Sequence, residues 1–236
     1  MYNLFVSTFI IISIVYSATL NGIVSFEGKT PKRKPILMDA DPICGASHKE
    51  NKALSEKFIV DKDNNLKNVL VWLEGVEYDG EVIKEAAVVD QIGCLYKPHV
   101  QGIMKGQELI IKNSDATLHN IHSMAKVNNQ FNFAMPKVVK TKSTSFDKLE
   151  DPFYIKCDVH PWMKTWISVF NHPYFSTTDA NGNYKIENIP PGEYKVVVWH
   201  EMDAKYEGFK ETKTIQITDE NAELSFKMKK GAKHKK

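Results

Sequence analysis

The chain has 236 residues, 42% of them hydrophobic and 25% charged, the balance of an ordinary globular protein with room for one large domain or two small ones. Its net charge is only +2, and it carries no basic stripe interleaved with aromatics, so the composition argues against nucleic acid as a partner. Six lysines fall within the last ten residues, and taking those six from the net +2 leaves −4. The basic tail, 229–236, reads either as a solvated terminus or as a weak contact with an anionic envelope or an acidic partner.

From Leu4 to Val15 the chain is almost wholly apolar, long enough for a signal-peptide core and too short to span a bilayer. Val15-Tyr16-Ser17 before Ala18 suits cleavage, so 1–17 is expected to be a signal peptide. Met1-Tyr2-Asn3 lacks Lys and Arg, which keeps an uncleaved anchor as the rival. The expected location is the periplasm or another extracytoplasmic space, with no integral membrane span in the mature form.

Residues 18–90 read as an N-terminal β extension of the domain that follows. Gly22-Ile23-Val24-Ser25-Phe26 alternates as a strand, Asn68 to Leu73 is rich in β-branched and aromatic residues, and Lys52 to Lys57 is weakly helical. Cys44 falls in this region. With Cys94 and Cys157 the cysteine count is three, and an odd count in an exported protein suggests one pair and one thiol with another task. A Cys44–Cys94 disulfide would contribute roughly 4 kcal/mol in the chain-entropy model. Two alternatives stand beside it: a second metal site built from Cys44-x₃-His48 and Cys94-x₄-His99, and two unpaired thiols.

Residues 91–172 carry the chemistry. Glu108 to Asn113 alternates as a strand and ends in the turn Asn113-Ser114-Asp115, with His119 just beyond it. In a strand, His119 and His122 fall on opposite faces, so His122 is expected at the surface. Pro152 to Lys156 is a strand that delivers Cys157 at its end, and Cys157-Asp158-Val159-His160-Pro161-Trp162-Met163 follows. A thiolate, two imidazoles and a weak thioether form the ligand set of a type 1 copper centre. The expected ligands of one copper ion are His119, Cys157, His160 and the axial Met163, with Met135 as a rival axial sulfur. Around them, Asn120 could tie the His119 strand to the Cys157 loop, Pro161 would stiffen the loop, and Trp162 would cover the metal or border a docking face.

Residues 173–228 read as a small second β-sandwich. Asp179-Ala180-Asn181-Gly182 suits a tight hairpin turn, Pro190-Pro191-Gly192-Glu193 is another turn, and Tyr194 to Trp199 is a long strand. His200-Glu201 is most simply a solvated loop, with a ligand pair as the sharper reading.

Three features together resemble the cupredoxins, closest to the amicyanin and plastocyanin branch. They are the strand Lys105-Gly106-Gln107-Glu108-Leu109-Ile110-Ile111-Lys112-Asn113, His119-Asn120 soon after it, and Cys-x₂-His-x₂-Met met by Cys157, His160 and Met163. The resemblance implies an all-β Greek-key sandwich with copper at one pole, and an electron that leaves through the exposed edge of His160. The lead-in strand departs from the family by carrying Ile155 two residues before the cysteine. Thr178 to Tyr184 and Ile189 to Tyr194 resemble carboxypeptidase regulatory-like domains, a transthyretin-like sandwich grouped with carbohydrate-binding-like folds; this match speaks to fold rather than activity.

The expected function is single-electron transfer with a redox protein such as a c-type cytochrome or a dehydrogenase. A copper chaperone or store, and an envelope- or carbohydrate-binding module with structural copper, are the alternatives. An enzyme is disfavoured because the other histidines form no His-x-His array.

Overall fold

The computed structural model describes residues 17–202 and 209–229. The expected signal segment up to Tyr16 and the tail beyond Lys229 lie outside them. The described chain is almost entirely β, in two sandwiches that the sequence does not traverse one after the other.

The first sandwich opens with β1 (Ala18–Glu27) and β2 (Leu70–Glu74). The chain then leaves for the second sandwich and returns with β12 (Phe175–Thr177), β13 (Asn183–Ile189), β14 (Gly192–His200), β15 (Phe209–Ile217), β16 (Ala222–Glu223) and β17 (Phe226–Lys229). One sheet runs β13-β1-β16 with β17 also on β1, and the other runs β12-β2-β14-β15. Leu20 and Val24 of β1, Val71 and Leu73 of β2, and Val196 and Val198 of β14 fill one apolar core between them.

This corrects the expectation that 18–90 extends the copper-binding sandwich. Alternating burial makes β1 a half-buried strand, but it does not name the partner. β1 pairs antiparallel with β13, from Ala18 opposite Ile189 to Ile23 opposite Asn183, in the last quarter of the chain. It also lies parallel to β16 and then to β17. Gly22 sits where β1 passes from one to the other, and a Cβ there would meet the Leu224 carbonyl oxygen at 1.9 Å. The turn at Asp179–Gly182 also differs from expectation. Asp179 accepts from the N–H groups of Asn181 and Asn183, but β12 pairs with β2 and β13 with β1, so the turn is a corner between sheets rather than a hairpin.

Strands β3 to β11 form the second sandwich: β3 (Ala87–Ile92), β4 (Leu95–Lys97), β5 (Val100–Met104), β6 (Leu109–Asn113), β7 (His119–Ser123), β8 (Asn132–Met135), β9 (Thr141–Thr144), β10 (Glu150–Lys156) and β11 (Lys164–Phe170). Its sheets are β4-β3-β6-β9 and β5-β11-β10-β7-β8. The pairs β3–β6 and β5–β11 are parallel, as crossing connections require, and the rest are antiparallel. Val89, Ile103, Leu109, Ile111, Ile121, Ile155 and Ile167 fill the core. Glu150 secures the β7–β8 connection by accepting the N–H groups of Lys126, Val127 and Asn128.

The two sandwiches meet on an aromatic seam. Trp166 of β11 lies 5.0 Å from Trp199 of β14, and Trp72 of β2 lies 5.6 Å from Phe170, centroid to centroid. Glu201 is buried in this seam, where it accepts from the Trp166 indole at 2.9 Å and pairs with His99. His200 is buried too, its Nδ1 accepting from the Met202 N–H. The solvated loop expected at His200-Glu201 is therefore an inter-sandwich clamp.

Between β1 and β2 runs a long excursion with one helix, α1 (Pro42–Ser47), placed by Asp41 as N-cap and Pro42 in the first turn. The weak helical pattern at 52–57 does not form a helix; Leu54 there bridges back to Pro35.

Two outcomes follow. A fragment starting at Pro173 lacks β1 and β2, so its far-UV circular dichroism is expected to be that of an unfolded chain; a native β spectrum would contradict the pairing. Burial opposes the Glu150 charge, but the Asn128 side chain and the three N–H groups outweigh it and hold its pKa below the usual carboxylate value. The native pKa is thus below the unfolded one, so Glu150 contributes fully above about pH 4.3, and that stability is lost as the pH falls through the native value. Urea midpoints measured down an acid series should fall less steeply in Glu150→Gln than in the parent.

Candidate metal centre

β7 and β10 are neighbours in one sheet, with Lys156 opposite His122 and Ile155 opposite Ser123. That register brings the start of β7, His119, beside the residue after β10, Cys157. The loop from Cys157 to Met163 closes on itself. The Cys157 N–H donates to the Met163 carbonyl at 3.2 Å, and the Met163 N–H donates to the His160 carbonyl at 2.9 Å. This fold-back returns His160 over the thiol.

Three side chains then converge, all at 2% exposure or less. His119 Nδ1 and His160 Nδ1 are 2.9 Å apart, and Cys157 Sγ is 3.7 Å from His160 Nδ1. The outer nitrogens point away from the centre, each to a carboxylate. His119 Nε2 lies 2.8 Å from Asp115 Oδ2, and His160 Nε2 lies 3.2 Å from Asp41 Oδ2. Carboxylates accept, so both Nε2 atoms are assigned as N–H donors. Both Nδ1 atoms then face inward toward each other and toward sulfur, and only a proton or a metal cation between them relieves the lone-pair repulsion.

The electrostatics agree with a centre that attracts positive charge. Burial disfavours a charged His119, yet its hydrogen bonds to Asp115 and Cys157 raise it to about 9. Burial likewise opposes a Cys157 thiolate, but the His119 hydrogen bond and the N–H groups of His160, Asn120 and Val159 lower its pKa. Two of those N–H groups, from Asn120 at 3.4 Å and His160 at 3.3 Å, reach the sulfur directly. A soft thiolate and two imidazoles, within 4.8 Å of one another, fit copper in either oxidation state.

The surrounding residues have defined positions. Asn120 Oδ1 accepts the Asp158 N–H at 3.0 Å, so Asn120 links β7 to the cysteine loop through both its side chain and its backbone. Tyr96 is buried beneath it, its hydroxyl donating to the Asn120 carbonyl. Met163 is fully buried in the same apolar cluster as Cys157. Met135, opposite His119 on β8, has its sulfur engaged by the Gln91 side-chain amide at 3.1 Å. Pro161 is exposed, and Trp162 packs its ring 5.0 Å from that of His160 while its indole N–H donates to the Cys94 carbonyl at 3.0 Å. His122 lies on the other face of β7 and bonds Asp158.

Cys44 and Cys94 are joined as a disulfide with an S–S distance of 2.04 Å. The pairing of Cys44 with His48 and Cys94 with His99 in a second metal site does not occur: His48 bonds the Gly93 carbonyl at 2.7 Å, and His99 turns to Glu201. The disulfide instead pins α1 over His160. Asp41 accepts from Ile43 N–H, Cys44 N–H and the Thr117 hydroxyl, and Cys44 Sγ lies 3.8 Å from His160 Nε2. Burial opposes the Asp41 charge, but the Cys44, Thr117, Ile43 and His160 hydrogen bonds hold its carboxyl at about 2.

The expectation of an exposed His160 edge is thereby overturned: His160 is 2% exposed, and the Asp41–Ser47 segment covers it. The Asp41 contact spans 119 residues, so local spacing carried no sign of it. Asp41 and Asp115 are the residues of the candidate centre that the sequence did not point to. Asp115 has a retrospective signal, four positions before His119 at the end of a turn; Asp41 had only its N-cap pattern with Pro42.

No protein-family model matches the chain, and no curated protein matches it. Among solved structures, parts of the chain are similar to cupredoxins at low identity. The purple cupredoxin of Nitrosopumilus maritimus is 20% identical, with a TM-score of 0.31, over 36% of this chain and 99% of its own. A methionine-to-alanine mutant of amicyanin in its Cu(I) form is 22% identical, with a TM-score of 0.33, over 42% of this chain and 98% of its own. The copper-containing nitrite reductase of Thermus scotoductus SA-01 is 21% identical, with a TM-score of 0.32, over 40% of this chain but only 25% of the reductase.

Proposed function

We propose that this chain is an exported type 1 copper protein that carries single electrons between redox partners. The observation that carries the reading is the inward pair of Nδ1 atoms, 2.9 Å apart beside the Cys157 sulfur, each turned there by a carboxylate on its outer nitrogen. One copper ion held by His119, Cys157 and His160, with Met163 as the weak axial sulfur, would supply a one-electron couple.

The protein's own part is to hold that geometry still. The Asn120 and His160 N–H groups fix the sulfur, the loop hydrogen bonds fix His160, and α1 with its disulfide excludes water. A centre so constrained changes shape little when its charge changes, which suits electron transfer. The same burial weighs against a chaperone, because an incoming ligand must reach the metal to remove it. The disulfide and the apolar run near the N-terminus support an extracytoplasmic address. A c-type cytochrome or a dehydrogenase is the partner class proposed. The reading of 173–228 as carboxypeptidase regulatory-like belongs to the same proposal, now with β1 and β2 counted in that sandwich.

The deciding experiment is visible absorption after reconstitution with Cu(II). An intense thiolate-to-copper band is expected in the parent and should vanish in Cys157→Ala. A protein that stays colourless and takes only Cu(I) would remove the carrier reading and favour the store. The carboxylates make a separate expectation: Asp115→Asn and Asp41→Asn should each weaken copper binding by about 10–100-fold in chelator competition while the band persists.

A further inference from the structure

The covered His160 poses a question of exit. Its outer edge, the side expected to meet a partner, is closed by Asp41, Cys44 and the disulfide. One aromatic ring leads outward from it: Trp162, tilted 42° at 5.0 Å, half-buried, and fixed by its indole hydrogen bond to Cys94. The other side of Trp162 lines a surface groove with Leu95, Pro161, Lys57 and Lys164. The groove's two carboxylates are engaged, Glu56 by Lys97 at 2.5 Å and Glu201 by His99 and Trp166. Lys57 and Lys164 make no ion pair among the described residues, and Lys164 is held in place over the Tyr154 ring at 4.3 Å.

We propose that Trp162 is the electron outlet of the centre, and that the groove beside it docks a redox partner whose exposed cofactor edge is rimmed by acidic residues. This rests on the carrier reading given above. The ring packs on the buried His160 and also lines the surface groove, and Lys57 and Lys164, neither of them in an ion pair among the described residues, supply the charge that steers an anionic partner. The transfer is outer-sphere: one electron leaves the reduced centre for the acceptor, no bond forms or breaks, and no proton moves.

Hexacyanoferrate(III) is the kinetic probe, itself reduced to hexacyanoferrate(II). Its rate of oxidising the reduced copper protein is followed by stopped flow in the parent, Trp162→Phe, Trp162→Leu, Val138→Asp and Lys57→Glu/Lys164→Glu. We expect about a tenfold loss in Trp162→Leu, and about a tenfold loss at low salt with the salt dependence reversed in sign in the lysine double variant. Trp162→Phe, which keeps a ring, should retain most of the rate. Val138→Asp, at an exposed position outside both the centre and the groove, should behave as the parent apart from a small charge effect. The absorption band and the reduction potential should stay put in Trp162→Leu, which separates the outlet role from a distorted centre.

A second readout does not need the copper. Hexacyanochromate(III), an anion of the same charge that does not exchange electrons here, is added to the metal-free protein. Broadening of the Trp162 indole and the Lys57 and Lys164 amide resonances is expected. An unchanged rate in Trp162→Leu, or broadening centred on Ile43 and Val159 instead, overturns the proposal. Absence of a reversible copper couple in the parent would instead sink the carrier reading, and the broadening result would still decide whether the groove takes an anionic partner.

Discussion

Two imidazole nitrogens facing each other at 2.9 Å are the constraint on which the rest of this structure turns. Left alone they repel, and the chain spends several independent contacts to keep them there. Asp115 and Asp41 take the outer N–H groups, β7 and β10 lock the relative position of His119 and Cys157, and the Cys157–Met163 loop folds back through two hydrogen bonds. Each contact is modest by itself. Together they hold His119, Cys157 and His160 in one arrangement.

The contacts on the outer edge of His160 come from far away in the chain. Asp41 belongs to an excursion that starts from β1 of the other sandwich, and Cys44 is tied to Cys94 just before β4. Asp115 reinforces the same structure from the opposite side, accepting the Gly93 and Cys94 N–H groups as well as holding His119. One carboxylate thus orients an imidazole and anchors one half of the disulfide. The cover, the disulfide and the two carboxylates form one connected unit rather than separate features.

The β3–β11 sandwich sits inside the other one in sequence. Strands β1 and β2 come first, the excursion between them supplies the cover, and the β3–β11 region supplies His119, Cys157 and His160 before β12–β17 complete the first sandwich. The aromatic seam of Trp72, Trp166, Phe170 and Trp199, with the Glu201 clamp, holds the two bodies together where a sliding interface would misplace Asp41. The geometry of the candidate centre therefore depends on packing between sandwiches as well as within one.

The local parts were legible in the order of residues. Cys157, His160 and Met163 at short spacing, His119 beyond a turn, the alternating strands and the odd cysteine count could all be read, because ligand chemistry and strand periodicity act over a few residues. So could the opposite facing of His119 and His122, which follows from the two-residue repeat of a strand. Packing alone set what is non-local. It assigned β1 and β2 to the later sandwich, since an alternating strand looks the same whichever edge it joins. It turned the Asp179–Gly182 hairpin into a corner and made Glu201 a clamp. It also laid Asp41 and Cys44 over His160, because a contact across 119 residues is fixed by how the sheets pack and leaves no periodicity to read.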